Sequence, residues 1–377
     1  MTTAGFWLRQ SAPGPAGRAA MLYWPRSPRG DGRGAHRIPA DWIQSERVVE
    51  VVFDRGVYLP ELDLWMDSRR KRDLSVISHA HSDHIGRHQR PALTPNTLLL
   101  LADYLKGADP ISLPYRQPLQ CDGYTITLYP AGHCLGSAQV LVRSEATGER
   151  VLYTGDIKTE ASPTNEPLEP VPCDTLILES TYGKPSYVFP PQERTLDSAF
   201  RVIESWLERG QRPVIQVWRL GKAQEIFHHL LARGFEVMLE DSVAGITQRY
   251  LEAGVSFPGG FVPFHGAWAE GKVLVCPPVR GDKLGLGEIR GKRYMELTGW
   301  AAADGRSWSR RADASLPFSD HPDFNQLVAY VKQVAPKRVY TVNGFPDLAD
   351  HLRGMGYPAV HLDGKARSNA GFQMDLL

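Results

Sequence analysis

The stretch Ser78-His79-Ala80-His81-Ser82-Asp83-His84 puts four groups able to bind a metal within six positions. Three imidazoles this close are costly to bury unless something satisfies their nitrogens, and a metal ion does so. His79 and His81 are two apart. In extended backbone, residues i and i+2 face the same way, so both rings can meet one ion. Asp83 and His84 follow in a turn and can face a neighbouring ion. Imidazole with carboxylate suits zinc, and manganese or iron less specifically.

The residues ahead of the cluster, 73–78 (DLSVIS), read as a short buried strand that ends at the first histidine. Two further loops repeat this arrangement. Pro130-Ala131-Gly132-His133 follows the alternating strand 124–129 (YTITLY), and its small residues let His133 approach. Tyr153-Thr154-Gly155-Asp156 again sets a glycine before a ligand at a strand end, and Asp156 could bridge two ions. Asp67, beside the apolar Leu64-Trp65-Met66, is a candidate partner for the far nitrogen of a ligating histidine.

Further out, the chain divides by style. Residues 1–42 are rich in Gly, Pro, Ala and Arg and nearly free of acids, which reads as a disordered tail. From about residue 45 the pattern is β-rich. Strands at 138–143 and 149–154 flank the turn 146–148, and another falls at 175–178. Past about residue 193, helical patterns (193–209, 221–233, 243–253) alternate with short strands (214–217, 235–239, 273–275). This βαβ punctuation predicts a parallel sheet. Residues 277–293 read as loop, followed by a helix at 323–335, a strand at 338–342 and a helix at 348–355.

At 377 residues the chain fits about two domains. An apolar fraction of 42% with 23% charged residues is ordinary for a soluble globular protein. A net charge of +1 excludes a uniformly basic nucleic-acid binder, so such a partner must be held by local patches. Four cysteines with no CxxC spacing give neither a zinc knuckle nor a disulfide framework, and a reducing cytoplasm is the expected compartment. No apolar run approaches the roughly 20 residues of a membrane span, so no membrane partner is expected.

HAHSDH, PAGHCLGSAQV and LYTGDIK together resemble, in order and spacing, the successive motifs of the metallo-β-lactamase superfamily. Leu178-Glu179-Ser180-Thr181-Tyr182-Gly183, the segment 213–225 (PVIQVWRLGKAQE) and 318–324 (FSDHPDF) are similar to motifs of its β-CASP nucleases. Gly299-Trp300 followed by an Arg-rich loop, together with a short inserted region, resembles the bacterial DNA ligase-associated exonucleases. The resemblance covers nearly everything past residue 45. It implies an α/β fold: an αββα metallo-β-lactamase sandwich with an inserted smaller α/β β-CASP domain. The implied division is 43–192 for the first part of the sandwich, 193–315 for the insert and 316–377 for its completion.

The activity implied is a metal-dependent DNA exonuclease acting in repair beside a ligase and a helicase, with single-stranded DNA or DNA ends as substrate. His79, His81 and His133 would hold a first zinc ion. Asp83 and His84 would hold a second, with Asp156 bridging and manganese an alternative metal. Asp83, Glu179 and His321 would be catalytic, Glu179 keeping His321 charged and oriented. Arg219, Lys222, Arg306, Arg310 and Arg311 would guide the substrate, and Trp218 and Trp300 could stack on bases. The sequence departs from the family at Asn343, where many relatives carry a histidine for the second metal. A neutral amide is a poorer zinc ligand than imidazole, so a weaker second site, or one suited to a harder ion, is expected. The alternatives are a β-CASP ribonuclease in RNA processing and a non-catalytic nucleic-acid-binding relative.

Overall fold

The structure, a computed structural model, describes residues 49–278, 284–303 and 312–362. The tail at 1–42 and the expected substrate residues Arg306, Arg310 and Arg311 lie outside them.

Three sheets carry the fold. The first runs β1 (Val52–Phe53), β2 (Val57–Leu59), β3 (Leu64–Met66), β4 (Leu74–Val76), β5 (Arg90–Leu93) and β6 (Ile111–Ser112), in chain order. The second takes β7 (Pro118–Cys121), β8 (Tyr124–Pro130), β9 (Ala138–Ser144), β10 (Arg150–Tyr153) and β11 (Thr175–Ser180). It is completed from far along the chain by β18 (Arg338–Gly344) and β19 (Ala359–His361). β9 and β10 pair antiparallel across the turn read from the sequence. β10, β11, β18 and β19 run parallel.

The central strands of the second sheet, β10, β11 and β18, are buried on both faces, and residue alternation sorts their side chains between two cores. Val151, Tyr153, Ile177, Tyr340 and Val342 share a core with Val57, Leu59, Met66 and Val76 of the first sheet. Leu152, Leu176, Leu178 and Val339 face the other way, onto helices α5 (Phe324–Val334) and α6 (Asp347–Gly354) through Leu327, Val331, Leu348 and Leu352. On the far side of the first sheet, Ile77 and Leu93 meet Leu98 of α1 (Pro95–Leu100) and the following Leu101 and Leu105.

β11 and β18 are hydrogen-bonded neighbours, yet the chain between them builds a third sheet. Its spatial order is β14 (Val262–Phe264), β13 (Val237–Glu240), β15 (Val273–Cys276), β12 (Arg212–Gln216), β16 (Lys292–Leu297) and β17 (Ala314–Leu316). Every pairing in it is parallel, as the alternating helical and apolar segments predict. The helices are α2 (Gln192–Glu208), α3 (Lys222–Arg233) and α4 (Asp241–Glu252). Ile215, Val237, Leu239, Val273 and Val275 pack with Leu196, Phe200, Ile203 and Phe227 of α2 and α3. The opposite face, with Val214, Met238 and Leu274, is covered by Phe264, Trp268 and Leu286.

Phe227 is 1% exposed in this core, whereas Leu251 on α4 is 42% exposed. Phe227→Ala is expected to lower the unfolding free energy by about 3–5 kcal/mol. Leu251→Ala should change it by no more than about 0.5 kcal/mol. Denaturant unfolding of both variants measures the difference.

Candidate metal centre

The candidate ligands sit just past strand ends: the His79–His84 loop after β4, His133 after β8 and Asp156 after β10. Glu179 stands near the end of β11, and His321 lies in the loop between β17 and α5. This is where layered folds present side chains on a rigid frame. Gly155 sets Asp156: its φ is +55°, and a Cβ there would lie 2.7 Å from the Ser78 side chain.

Asp67, with a left-handed φ of +50°, organises the floor. Its Oδ1 accepts from the Ser78 backbone N–H at 2.7 Å. Its Oδ2 accepts from Ser78 Oγ at 2.5 Å, from His84 Nδ1 at 2.8 Å and from the Tyr153 hydroxyl at 2.9 Å.

These bonds fix the tautomers. Ser78 Oγ gives its proton to Asp67, so it accepts from His79 Nδ1, 2.9 Å away. His81 Nε2 donates to the Leu220 carbonyl at 3.2 Å, and His133 Nδ1 donates to the Asp320 carbonyl at 2.8 Å. His84 Nδ1 is committed to Asp67. In the neutral rings the remaining nitrogens are therefore lone pairs: Nε2 of His79, His84 and His133, and Nδ1 of His81. They point at one another. His81 Nδ1 is 3.1 Å from His79 Nε2 and 3.0 Å from His133 Nε2. Asp156 Oδ2 lies 3.2 Å from His84 Nε2, 3.6 Å from His79 Nε2 and 3.9 Å from His133 Nε2.

At His79, His81 and His133 these facing nitrogens have no donor among them and call for a cation. Among the described residues, His79, His81, His133 and Asp156 converge closely enough to hold one ion, and Asp67, His79 and His84 form an adjoining group. Burial, reinforced by the neighbouring histidines, pushes His133 down to about 3 and His79 well below its usual range. Burial also lowers His81. Protons therefore do not supply the positive charge at these three rings. Burial opposes charge on His84 too, but Asp156, Asp83 and Asp67 outweigh it and raise that ring. Burial likewise opposes charge on Asp156, and His84 more than compensates, holding its carboxyl well below the usual range. The donor set fits a small divalent cation bound through nitrogen and oxygen.

Asp83 stands apart. Its side chain is 66% exposed, and its carboxylate reaches only to 3.7 Å from His84 Nε2. Asn343 is exposed; β18 bulges against β11 between Glu179 and Ser180, leaving Asn343 at φ +53°. Asparagine tolerates that left-handed conformation better than most residues, which gives the position a backbone reason for its side chain.

Beside the cluster, His321 Nδ1 donates to both oxygens of Glu179, at 3.0 and 2.9 Å. Glu179 is 1% exposed and is fixed by the Ile157 N–H at 2.7 Å and the Thr181 hydroxyl at 2.6 Å. Burial works against charge on His321, but Glu179, Asp156 and Asp320 raise it to about 9. The rings of His133 and His321 are 4.6 Å apart. The loop is anchored two residues on: Asp323 caps α5 by accepting from Gln326 N–H at 2.8 Å.

The third sheet takes part in the centre, which sequence reading did not show. Leu220, whose carbonyl holds His81, lies between β12 and α3. Two buried ion pairs tie the start of α3 to the metal loops: Lys222 to Asp320 at 2.8 Å and Lys158 to Glu225 at 2.5 Å. Lys222, expected to guide substrate, is 3% exposed and neutralises Asp320 instead. Although burial resists it, Lys222 keeps the Asp320 carboxyl ionised. Arg219 is exposed beside it. Leu220 and Asp320 act through backbone carbonyls, which carry no residue signature. Ser78 and Tyr153 lay inside the motifs, but their bonds to Asp67 appear only in the folded chain.

Removing one partner of a buried pair strands the other charge. Lys222→Met is expected to destabilise the fold by about 3–5 kcal/mol, and Lys222→Met with Asp320→Leu to recover most of that. Denaturant unfolding of the single and double variants decides.

No protein-family model matches the chain. Over 314 residues it is 35% identical to a protein named probable DNA ligase from Opitutus terrae, matching 82% of this chain and 31% of that protein. It is 30% identical over 181 residues to an RNase J-like protein of Methanocaldococcus jannaschii, matching 41% of this chain and 42% of the relative. The chain thus spans less than half the length of either. A crystal structure of a protein of unknown function from Enterococcus faecalis V583 superposes with a TM-score of 0.54 at 13% identity, over 77% of this chain and 78% of that one, a likeness of fold alone. The three motif loops meeting at one centre, the Glu179–His321 pair beside it and these relatives place the chain in the β-CASP group of the metallo-β-lactamase superfamily.

Proposed function

We propose that the chain is a metal-dependent DNA exonuclease that hydrolyses phosphodiester bonds and works in repair alongside a DNA ligase. In this reading residues 43–192 and 316–377 form the αββα sandwich and 193–315 the inserted β-CASP domain. The observation that carries the reading is the ring of inward-facing nitrogens at His79, His81, His84 and His133 around Asp156, with a charged His321 next to it. The ligase-named relative supports DNA as the substrate, since it matches most of this chain and only about a third of its own length. The matched part is then a module that accompanies ligation.

His79, His81, His133 and Asp156 would hold one zinc or manganese ion, and His84 with Asp156, joined by Asp83 from the rim, a second. Bound there, such ions lower the pKa of water toward ~7 and offset the phosphodiester's charge. The chain's own groups do the rest. Asp156, 3.6 Å from His79 Nε2 and 3.2 Å from His84 Nε2, would serve both groups of ligands. Both oxygens of Glu179 accept from His321 Nδ1–H, which leaves Nε2 to donate its proton to the departing oxygen. The Leu220 and Asp320 carbonyls hold the rings of His81 and His133 square to the centre. Exposed Arg219 meets backbone phosphates at the rim.

A cleavage time course on a 5′-labelled DNA strand and its RNA counterpart, with zinc or manganese, tests this. End-dependent release of nucleotides from DNA is expected, lost with chelator and reduced at least about a hundred-fold in His81→Ala, while covalently closed circles survive. Cleavage of RNA with DNA untouched would instead assign the chain to RNA processing.

A further inference from the structure

Next to the Glu179–His321 pair the chain builds a cluster of aromatic side chains that the proposed chemistry does not use. Tyr182 is buried at its base, its ring 6.1 Å from that of His321. Trp300 packs on it at 4.7 Å. This approach depends on Gly299, because a Cβ there would lie 2.5 Å from the Tyr182 ring. Further out, Tyr187 meets Trp300 edge-on at 5.3 Å and stacks on Phe345 at 5.6 Å with ring planes 28° apart. Tyr187, Trp300 and Phe345 are each only half-buried. The exposed Lys184 reaches over Phe345, its ammonium 6.0 Å from the ring centre.

The cluster is held by backbone, and from two sides. Phe345 N–H donates to the Ser180 carbonyl at 2.9 Å, one residue beyond Glu179, and the Tyr187 carbonyl accepts from Phe324 N–H at 3.0 Å. Trp300 comes from the short helix that follows β16 of the third sheet. Half-open rings, rigidly based, with a cation at the rim and a general-acid histidine at the inner end, match what unpaired nucleobases require: a π-face to stack on and a positive charge for the adjoining phosphate.

We propose that Tyr187, Trp300 and Phe345 form a platform on which one unpaired base of the substrate strand stacks, beside the phosphodiester to be cut, with Lys184 on the neighbouring phosphate. This rests on the nuclease reading and, between the expected single strands and ends, selects single strands and frayed ends over fully paired ones, because a base within a duplex offers no free face. The platform positions the strand and takes no part in proton transfer.

The test separates binding from cleavage. Anisotropy with a labelled single-stranded DNA oligomer, in chelator so that nothing is cut, gives Kd for the wild type and for Tyr187→Ala, Phe345→Ala and Phe345→Leu. Each is expected to weaken binding about five- to hundred-fold, and Phe345→Leu does so while preserving apolar packing. Leu251→Ala, at an exposed side chain of α4, should leave Kd unchanged. In the wild type, one abasic position scanned along the oligomer should weaken binding at a single place, and the Phe345 variants should no longer respond to it. Lys184→Gln should flatten the salt dependence by about one unit of slope. Variants that bind like wild type, or that lose affinity equally for intact and abasic strands, overturn the platform even if the wild type cleaves DNA. A wild type that neither binds nor cleaves single strands overturns the nuclease reading and the platform with it.

Discussion

Lone pairs facing one another with no proton between them are the constraint on which the rest of the structure depends. Each histidine of the centre spends one N–H outward, on Ser78, Leu220, Asp67 or Asp320, and His79, His81 and His133 turn their bare nitrogens toward one another. Neutral rings in that arrangement repel one another unless a cation sits among them. Burial disfavours protons at His79, His81 and His133, so the cation that suits the site best is a metal.

The outward bonds explain why the fold needs both of its halves. Asp67 comes from the end of β3 and ties the loop after β4, through Ser78 and His84, to the end of β10, through Tyr153. The carbonyl of Leu220 comes from the third sheet, and that of Asp320 from the return to the second. The Lys222–Asp320 and Lys158–Glu225 pairs join those segments where water is excluded, so each is costly to break. The inserted sheet therefore braces the metal loops as well as lining their approach. It also delivers Trp300 to the aromatic surface beside His321.

Much of this was legible in the chain, and what was missed has physical reasons. The parallel third sheet followed from helical segments alternating with apolar runs such as that of β15, buried at every position. The strands at residues 52–66 and β6, β14 and β19 are two or three residues long, too short for a period of two to show. His79, His81, His84, His133 and Asp156 were legible because spacing and strand-end position pointed to a shared ion. Asp67 was found from its apolar setting. Lys222 was misread because a lysine in a loop–helix motif looks like a substrate cation until its buried carboxylate partner, nearly a hundred residues on, is seen. Asn343 departs from the family's histidine, and the bulge in β18, invisible in the sequence, adds a left-handed backbone that suits asparagine.

The central claim is that this cluster exists to hold metal. The most direct measurement is the metal content of the purified chain by native mass spectrometry, after equilibration with zinc or manganese and removal of free ions. The account predicts at least one ion retained by the wild type and none by Asp156→Ala with its fold intact. A wild type that retains no ion, or an Asp156→Ala variant that retains as much, would contradict it.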